Sequence, residues 1–419
     1  MSQGISNAPI VIVGAGIVGV STGIWLRRAG KDVVLLDRQG PGQGTSYGNA
    51  GVLANCSVVP VTTPGLVRKG LRFALDPNFP LYMRWSYLPK LMPWLIRYLS
   101  HANDSDTRRI ASGLHTIIGD AVEQHLSITA GTQAREWVIE SDYTFAYADR
   151  SAFEAEGYVW DRRRDAGFVP VLLEGRDVHD YEPNLGPEVG LLAVMKDHGY
   201  VRNPAGYVAA LADAFQKLGG QVQIADVKGF QFSENRVSGV ETDQGAIPCS
   251  EVVLATGVWS KPLMKSLGLS VPLESERGYH IVFEGAEGGP KVPIMVAAGK
   301  FVATPMAAGL RCAGIVEFGG LEAGPSAAPL ALLRREVRKA FPNLKATQEI
   351  EWQGHRPAPS DSLPLIGAVG KTGIFAGFGH HHIGLTGGPK TGRLLAQLVQ
   401  GQTPNEDMSP YDPNRFARL

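Results

Sequence analysis

Residues 9–37 read PIVIVGAGIVGVSTGIWLRRAGKDVVLLD, and this stretch decides the fold. The β-branched run from Ile10 to Val13 predicts a buried parallel strand. The glycines that follow it lead into a helix that ends near Gly30, and residues 32–36 form a second strand that ends at Asp37. Because the strand, helix and strand occupy about thirty residues, the G-x-G-x-x-G pattern lies in the βαβ context that dinucleotide binding requires.

Each glycine of this pattern has a separate task. Gly14 permits the tight turn, Gly16 lets the backbone approach a pyrophosphate, and Gly19 lets the helix pack closely on the strand. Amide groups at the helix N-terminus favour the negative charge of phosphates. We expect Asp37 to accept hydrogen bonds from a ribose diol and to repel a 2′-phosphate, which favours FAD or NAD over NADP. A turn without a phosphate is the alternative.

The composition excludes some classes of function. The 419 residues include 40 Lys and Arg and 40 Asp and Glu, so a neutral chain gives no reason to expect nucleic acid as a partner. Glycine, 51 residues, exceeds its usual share of about 7%, which suggests many tight turns and close backbone approaches to a ligand. Three widely spaced cysteines form neither a disulfide framework nor a metal cluster. We expect a reduced, cytoplasmic protein of two or three domains.

Two apolar stretches raise the question of membrane contact. Residues 10–26 are uncharged but short for a membrane span, and they contain four glycines, so strand, turn and helix explain them better. Residues 80–100 are rich in Trp, Tyr, Leu and Met with basic residues between them. They fit an amphipathic surface segment that touches lipids, or a kinked helix pair that packs on the core. Pro89 and Pro93 favour the helix pair, because proline interrupts a continuous helix.

The rest of the chain alternates between predicted helices and strands. Residues 105–135 are typical of helices, residues 279–318 of antiparallel strands, and residues 40–51 of a long glycine-rich loop. The sequence also predicts helices over 204–218, 330–341 and 389–400, strands over 222–225, 251–257 and 373–377, and a hairpin over 227–242.

Four motifs occur together in one order: the N-terminal glycine pattern with Asp37, Ala255-Thr-Gly257, Gly354-His-Arg-Pro357 followed by residues 363–367, and the Gly/His-rich run over residues 377–386. In this combination the chain resembles the FAD-dependent D-amino acid oxidase superfamily, which includes glycine oxidase and sarcosine oxidase. Residues 46–51, 63–66 and 75–78 resemble those of the bacterial D-amino acid dehydrogenases. The resemblance covers nearly the whole chain.

The resemblance implies an α/β flavoprotein with an α+β substrate domain. Residues 1–80, 196–270 and 346–419 would form a Rossmann-like FAD-binding domain from separate segments. Residues 81–195 and 271–345 would form a smaller substrate domain with a mainly antiparallel sheet. No cysteine or histidine suited to covalent attachment lies near Arg356, so we expect FAD to be bound non-covalently.

The resemblance also assigns residues to the cofactor and the substrate. Arg356 would bind the substrate carboxylate, His381 would line the active site, and Tyr47 would lie near the flavin ring. Tyr279 would line the pocket, and the alternative is a core aromatic residue whose hydroxyl has a partner. Phe301 falls where some relatives carry a tyrosine, which implies an apolar pocket wall. The expected cofactor contacts are Gly14, Gly16, Ile17, Val18, Gly19, Asp37, Arg38, Thr45, Ser46, Asn49, Ala50, Gly51, Val227, Thr256, Gly257, Trp259, Gly379, His380, His382, Ile383, Gly384, Leu385 and Thr386.

The reaction that the resemblance implies is oxidative deamination of D-amino acids. Hydride would leave Cα for flavin N5, and the imino acid would hydrolyse to a 2-oxo acid and ammonia. The alternatives are a D-proline or hydroxy-D-proline dehydrogenase, a glycine- or sarcosine-type secondary amine oxidase, and a non-catalytic flavin-binding subunit. A quinone acceptor would bring the protein to the inner face of a membrane. The sequence determines neither the acceptor nor the oligomeric state.

The three adjacent histidines, residues 380–382, do not predict a metal site. Neighbouring side chains cannot all turn toward one ion without distorting the backbone, and no carboxylate or cysteine flanks them. We therefore expect no metal.

Overall fold

The computed structural model describes residues 8–68 and 80–417, so the motif at 75–78 lies outside the described residues. Nineteen strands are present in these ranges: β1 (Ile10–Val13), β2 (Val33–Asp37), β3 (Val52–Leu53), β4 (Leu81–Met83), β5 (Val138–Tyr147), β6 (Val171–Glu174), β7 (Leu191–Val201), β8 (Gln221–Ile224), β9 (Val227–Ser233), β10 (Arg236–Thr242), β11 (Gly245–Pro248), β12 (Glu251–Leu254), β13 (Leu273–Glu284), β14 (Ile294–Val296), β15 (Phe301–Met306), β16 (Gly309–Phe318), β17 (Gln348–Pro359), β18 (Leu365–Ala368) and β19 (Ile374–Phe378).

The helices that matter for the site are α1 (Ile17–Arg28), α2 (Leu88–Ser100), α3 (Asp104–Ile118), α4 (Ala121–Thr129), α5 (Arg150–Glu154), α6 (Gly157–Asp165), α7 (Arg176–Tyr181), α8 (Pro204–Lys217), α9 (Ser260–Ser266), α10 (Ala327–Ala340) and α11 (Gly384–Val399). Short 3₁₀ turns cover Trp85–Tyr87, Gln133–Trp137, Gly257–Trp259, Ser409–Tyr411 and Pro413–Phe416.

The first sheet confirms the predicted Rossmann-like architecture. Its strand order is β18-β19-β12-β1-β2-β8, and all neighbours except β18 and β19 run parallel. Apolar side chains of α1, α8 and α11 pack on one face, and those of the antiparallel sheet β11-β10-β9 pack on the other. Because both faces are covered, the strands are nearly continuous apolar runs, as in residues 10–13.

Helix α11 begins at Gly384, five residues before the predicted start at Pro389. Close packing explains the difference. A Cβ at Gly388 would lie 2.7 Å from Ile17 Cγ1, and one at Gly392 would lie 2.6 Å from Ser21 Cβ. The glycines let α11 cross α1 closely, and this burial offsets their low helix propensity.

The second sheet is mainly antiparallel, as predicted, with ten strands. Its main path is β17-β13-β16-β15-β14-β5-β7-β3, and β4 and β6 pair with β16 and β7. Helix α10 covers one face, where Leu333 and Val337 pack against β13 and β16. Both β3 and β17 belong to this sheet, although the expected division of the chain put residues 1–80 and 346–419 with the cofactor domain.

Residues 88–100 form one helix, α2, rather than the predicted kinked pair. Pro89 lies in the first turn, where backbone N–H groups have no partner within the helix anyway. Pro93 lies inside the helix, and the burial of Leu91, Trp94 and Tyr98 offsets the hydrogen bond that it removes. None of the helices in the described part of the chain combines the length and the apolar character that a membrane crossing requires.

Candidate active site

A cavity of about 390 Å³ opens at the carboxyl ends of β1, β2, β12 and β19. Ligands of open α/β sheets bind at this edge, and the volume lies within the usual range for small-molecule sites. The lining comes from separate segments of the chain. It comprises Val13, Gly14, Gly16, Ile17, Val18, Leu36, Asp37, Arg38, Gln39, Gly44, Thr45, Ser46, Asn49, Ala225, Asp226, Val227, Lys228, Ala255, Thr256, Gly257, Trp259, Pro262, Leu263, Ser266, Pro357, Gly377, Phe378, Gly379, His380, His381, Gly384 and Leu385.

The glycine turn shows why side chains are excluded there. Gly14 has φ +105°, and a Cβ on it would lie 2.5 Å from the carbonyl oxygen of Ala255. A Cβ on Gly19 would lie 1.8 Å from the carbonyl oxygen of Gly14. Gly16 lines the cavity itself. Gly14 therefore lets the turn lie against the residue that follows β12, Gly19 lets helix α1 approach the turn, and Gly16 leaves backbone facing the cavity.

The N-terminus of α1 also faces the cavity. Gly16 occupies the N-cap position, where no side chain caps the helix, and the first turn carries no acidic residue. The amide of Ile17 donates to Ser46 Oγ at 3.1 Å, which fixes the 40–51 loop beside the helix end. Apart from this bond to Ser46 the helix end has no side-chain cap, and without acidic side chains it favours phosphate oxygens.

Asp37 organises the turns on both sides of it. Its Oδ2 accepts a hydrogen bond from the Ala15 amide at 2.8 Å, and its Oδ1 accepts from the amides of Gln39 and Gly40 at 2.8 and 3.0 Å. An ionised carboxylate has about four acceptor positions, so roughly one remains for a ligand. The expected ribose contact stays a prediction, and the sequence did not reveal these backbone bonds.

We expect Asp37→Asn to weaken FAD binding about 10- to 100-fold. The amide group turns N–H donors toward backbone N–H groups, and hydrogen bonds to a charged acceptor are worth about 1.5–3 kcal/mol. Titration of the apoprotein with FAD, followed by flavin fluorescence, measures the change in Kd. Asp32→Asn is the matched control, because Asp32 pairs with Arg27 at the surface with 84% of its side chain exposed. Equal Kd values for both variants would contradict the role of Asp37.

The far side of the cavity is built from β9 and the turn after β12. Val227 and Gly257 line it, and the Arg38 guanidinium lies 4.2 Å from the centre of the Trp259 ring, a cation–π contact. Thr256 Oγ1 and Ser260 Oγ are 2.8 Å apart, which fixes the start of α9. Except for Ser260, these residues line the cavity, and their contact with a cofactor stays a prediction.

Some residues expected at the cofactor do not line the cavity: Gly19, Ala50, Gly51, His382, Ile383 and Thr386. Gly51 has φ +80°, and Thr386 Oγ1 donates to the carbonyl oxygen of Val52 at 3.1 Å. The two residues thus lie next to residues that line the cavity without lining it themselves. The structure adds lining residues that the motifs did not indicate, including Ala225, Pro262 and Leu263. Their side chains carry no chemical signal in the sequence.

The three histidines point in different directions. His380 Nε2 lies 3.0 Å from Thr391 Oγ1, His381 Nδ1 lies 3.2 Å from Glu276 Oε2, and the His382 side chain is exposed. His381 has φ +53°, an uncommon value for a residue other than glycine, and its amide donates to the carbonyl oxygen of Pro357 at 2.9 Å. The turn holds only His381 against the second sheet.

Arg356 lies on β17, directly opposite Glu276 on β13. Its guanidinium lies across Gly278, where a Cβ would be 2.6 Å from Nη2. Burial lowers the pKa of the guanidinium, and the charge of Glu276 opposes part of this shift. Arginine side chains keep their charge in proteins. Arg356 does not line the cavity, but its neighbour Pro357 does. The arginine is therefore placed beside the cofactor cavity rather than in it.

Glu276 is the site residue that the sequence analysis missed. Its side chain is 7% exposed, and it lies between Arg356 and His381. Burial alone would raise the pKa of this carboxyl, but the neighbouring charges of His381 and Arg356 lower it to about 2. The Tyr98 ring of α2 stacks beside His381, with 6.4 Å between ring centres. The only signal in the sequence was that Glu276 lies three residues before Tyr279, a candidate for the active site, on the same strand.

Tyr279 and Phe301 do not belong to this group of residues. Tyr279 is 1% exposed, and its hydroxyl donates to Glu317 Oε2 at 2.5 Å. Phe301 is fully buried in the same apolar cluster, under α10. Because successive side chains of a strand point to opposite faces, Tyr279 faces away from the side of β13 that carries Glu276 and Gly278. The expected pocket positions of both residues are corrected: they are core residues of the second sheet.

We expect Glu276 to make stability depend on pH in the acid range. A pKa of about 2 in the folded chain, below the ordinary 4.5, means that its stabilisation is complete above about pH 4.5 and is lost as the pH falls toward 2. The contribution is at most about 3 kcal/mol. Urea unfolding of the wild type should show this decline between pH 5 and 3, and Glu276→Gln should flatten it. Parallel curves for both proteins would contradict the prediction.

The family model described as "FAD dependent oxidoreductase" (DAO) matches residues 9–398. A D-amino-acid oxidase of Bradyrhizobium diazoefficiens is 38% identical over 415 residues, which cover 97% of this chain and 98% of that protein. A D-amino acid dehydrogenase of Rhizobium rhizogenes is 28% identical over 97% of this chain and 100% of its own length.

Solved structures share the fold at low identity. Glycine oxidase from Bacillus cereus superposes with a TM-score of 0.72 at 19% identity, over 95% of this chain and 96% of that one. L-proline dehydrogenase from P. horikoshii superposes with a TM-score of 0.74 at 20% identity, over 98% of both chains. At this identity the likeness establishes the fold alone.

Proposed function

The chain belongs to the DAO family of FAD-dependent oxidoreductases, and we propose that it oxidises D-amino acids to 2-oxo acids and ammonia. The observation that carries the proposal is the position of Arg356. Its guanidinium has no hydrogen bond or ion pair with any described residue, and it lies beside the cofactor cavity. A half-buried cation without a partner suits a ligand carboxylate, because a guanidinium binds carboxylates through two parallel hydrogen bonds.

The cavity residues fit FAD. Gly16 leaves its backbone facing the cavity, where a Cβ would lie 3.3 Å from Ser46 Oγ, and the N-terminus of α1, which has no acidic residue in its first turn, suits a pyrophosphate. Asp37 retains an acceptor position at the end of β2, where a ribose would lie. The N-terminus of α11, at Gly384 and Leu385, also lines the cavity. The N-termini of both helices thus present backbone to the cavity.

Bound FAD supplies the acceptor for the hydride that leaves Cα. The residues of the chain bind and orient the substrate. Arg356 holds the substrate carboxylate, Gly278 leaves room for the guanidinium to lie flat on β13, and Tyr98 with Trp94 covers the site from α2. This orientation places the substrate beside the cofactor cavity, and orientation is a main source of rate in such reactions.

The test is the visible spectrum of the purified protein under anaerobic conditions while D- and L-amino acids are added singly. We expect a flavin spectrum that D-enantiomers bleach and L-enantiomers do not. Release of ammonia in the same samples identifies deamination. Air is then readmitted to one sample and a soluble quinone is added to another, and return of the oxidised flavin spectrum identifies the electron acceptor. A flavin spectrum that no D-amino acid bleaches would overturn the proposal.

A secondary amine is the second candidate substrate. The fold shared with glycine oxidase and L-proline dehydrogenase is compatible with it, and Arg356 would hold the carboxylate in the same way. Relative rates for D-alanine, D-proline, glycine and sarcosine separate the candidates. Rapid reduction by sarcosine or D-proline with slow reduction by D-alanine would move the assignment to secondary amines.

We also propose that the outer face of α2 contacts a membrane surface, where a quinone acceptor would be available. Met92 and Ile96 are exposed along this face, Trp85 is exposed in the 3₁₀ turn that precedes α2, and the exposed Lys90 and Arg97 lie near them. Apolar side chains with basic neighbours suit anionic lipid headgroups. Cosedimentation with phosphatidylglycerol vesicles should exceed that with phosphatidylcholine vesicles. Ile96→Asp should reduce it at least about tenfold, whereas Val169→Asp, at another exposed apolar position, should leave it unchanged. Equal binding of both variants would contradict the proposal.

A further inference from the structure

Two neighbouring side chains of opposite charge have fewer polar partners than they can accommodate. Arg356 has no hydrogen bond or ion pair among the described residues, and Glu276 has only its contact with His381. A carboxylate that is more than nine-tenths buried ordinarily fills its acceptor positions, because leaving them empty is costly. The unfilled donors of Arg356 and the unfilled acceptors of Glu276 belong to residues paired directly across two strands.

The two groups do not neutralise each other by direct contact. They are not within ion-pair distance, 4.0 Å, even though residues paired across strands have Cβ atoms only about 5 Å apart. The guanidinium instead lies over Gly278, two residues along β13, where any larger residue would collide with it. Because Gly278 has no side chain, the Arg356 guanidinium has room to lie there instead of against Glu276, and the two charges stay separated on one face of the sheet.

The Glu276 charge is held in place from the other side. His381 Nδ1 lies 3.2 Å from Glu276 Oε2, and the positive φ of His381 and its amide bond to Pro357 position the imidazole. The titratable groups that face Glu276 are Arg356 on β17, His381 and His382 on the turn before α11, and Tyr98 on α2. Glu276 is therefore ionised throughout the neutral range.

We propose that Glu276 binds the α-amino group of the substrate while Arg356 binds its carboxylate. The α-carbon of an amino acid carries a cation and an anion one bond away from it, and the separated pair presents the complementary charges. This inference rests on the proposed function, because it names the second point by which the same substrate is held. His381 is a positioning residue that keeps the Glu276 carboxylate turned to the site.

The paired charges also determine what the site rejects. A carboxylic acid without an amino group brings no donor for Glu276 and places a second negative charge beside it. Leaving a buried carboxylate without its partner is costly, and like charges in a poorly solvated site repel. The site should therefore select amino acids against simple carboxylic acids of the same size.

The experiment compares D-alanine with propionate, its counterpart without the amino group, in Glu276→Gln holoenzyme. Propionate binding is measured by the change in the flavin absorbance spectrum and as competitive inhibition. D-alanine is measured by kcat/KM in anaerobic reduction. We expect kcat/KM for D-alanine to fall about 10- to 100-fold, because a charge-assisted hydrogen bond is lost. The Kd of propionate should fall about threefold or more, because the repelling charge is gone.

Opposite changes for the two ligands are the signature of the proposal. If both ligands bind more tightly, Glu276 only attenuates the charge of Arg356. If both bind more weakly, or neither changes, its role is structural. Each of these outcomes would overturn the inference. Glu182→Gln is the matched control, because Glu182 is a carboxylate with 1% exposure that accepts from the amides of Lys291 and Val292, and both ligands should bind it as they bind the wild type.

Two further variants guard against misfolding. Glu276→Asp keeps the charge but moves it back by one methylene group. The kcat/KM for D-alanine should therefore fall, while the Kd of propionate stays near the wild-type value. His381→Asn keeps a donor near Glu276 and tolerates the positive φ, so it should give smaller changes in the same two directions as Glu276→Gln. Flavin content reports folding in each case. If wild-type flavin is reduced by D-alanine but the two ligands change together, this inference fails and the proposed function stands. If D-alanine does not reduce the wild type, the proposed function fails first.

Discussion

Replacing Arg356 by Ala should lower kcat/KM for D-amino acids about 10³-fold while FAD remains bound. The guanidinium is the only charged group that we assign to the substrate carboxylate, and truncating one partner of a buried charge pair costs about 2–5 kcal/mol. The loss should appear mainly in KM, because the substrate carboxylate is bound in the ground state as well as in the transition state. Stopped-flow reduction of the flavin over a range of substrate concentrations separates the two contributions.

Two variants sharpen this result. Arg356→Lys should recover only part of the loss, because an ammonium group cannot form two parallel hydrogen bonds with a carboxylate. Arg334→Ala is the matched control: Arg334 lies on α10, away from the site, and pairs with Glu349 and Glu351 of β17, the strand that carries Arg356. Its kinetic constants should equal those of the wild type. An unchanged KM for Arg356→Ala would remove the assignment.

Replacing Gly19 by Ala should abolish the binding of FAD at micromolar concentration. The added Cβ would lie 1.8 Å from the carbonyl oxygen of Gly14, a distance that no rotamer change can relieve because both atoms are fixed by the backbone. Strand β1 and helix α1 must then separate, which costs about 3 kcal/mol or more and moves the amides that face the phosphates. The protein should purify without the yellow colour of flavin, and titration with FAD should show a Kd raised at least about 100-fold.

Gly157→Ala is the appropriate comparison. Gly157 is the first residue of α6, its φ is not positive, and a Cβ added to it would meet no other atom within 4 Å. Alanine there should leave both the Kd for FAD and the unfolding curve close to those of the wild type. Normal flavin content in Gly19→Ala would show that the turn tolerates displacement and that the glycine pattern is less restrictive than we infer.

The glycine turn was predictable because its determinants are local. Gly14, Gly16, Gly19 and Asp37 lie within one strand-helix-strand unit, and each has a backbone reason for its identity. Asp37 shows the limit of such prediction. Its position at the end of β2 was foreseen, but its three hydrogen bonds to amides depend on how two turns fold around it.

The bounds of the helices that contain proline or glycine were less predictable. Pro93 was expected to break a helix and Pro389 to begin one, and both lie inside helices. The low helix propensity of proline and glycine costs a helix a few kcal/mol at most. This cost is outweighed in α2 by the burial of Trp94 and Tyr98, and in α11 by its close packing across α1. Tertiary packing thus overrides local preference where a helix has a large apolar face.

The sequence by itself determined the cofactor turn and the class of both sheets, because each is encoded by neighbouring residues or by the residue pattern along a strand. A short motif shared with a known family pointed to Arg356, and its role in binding the substrate stays a proposal. Only the tertiary structure decided which residues meet Arg356. Strand register placed Glu276 opposite it and turned Tyr279 to the other face, and the positive φ of His381 brought the imidazole to the carboxylate. Register and turn geometry arise from long-range packing, because a shift of one residue reverses the side of a strand, and no local pattern encodes that choice.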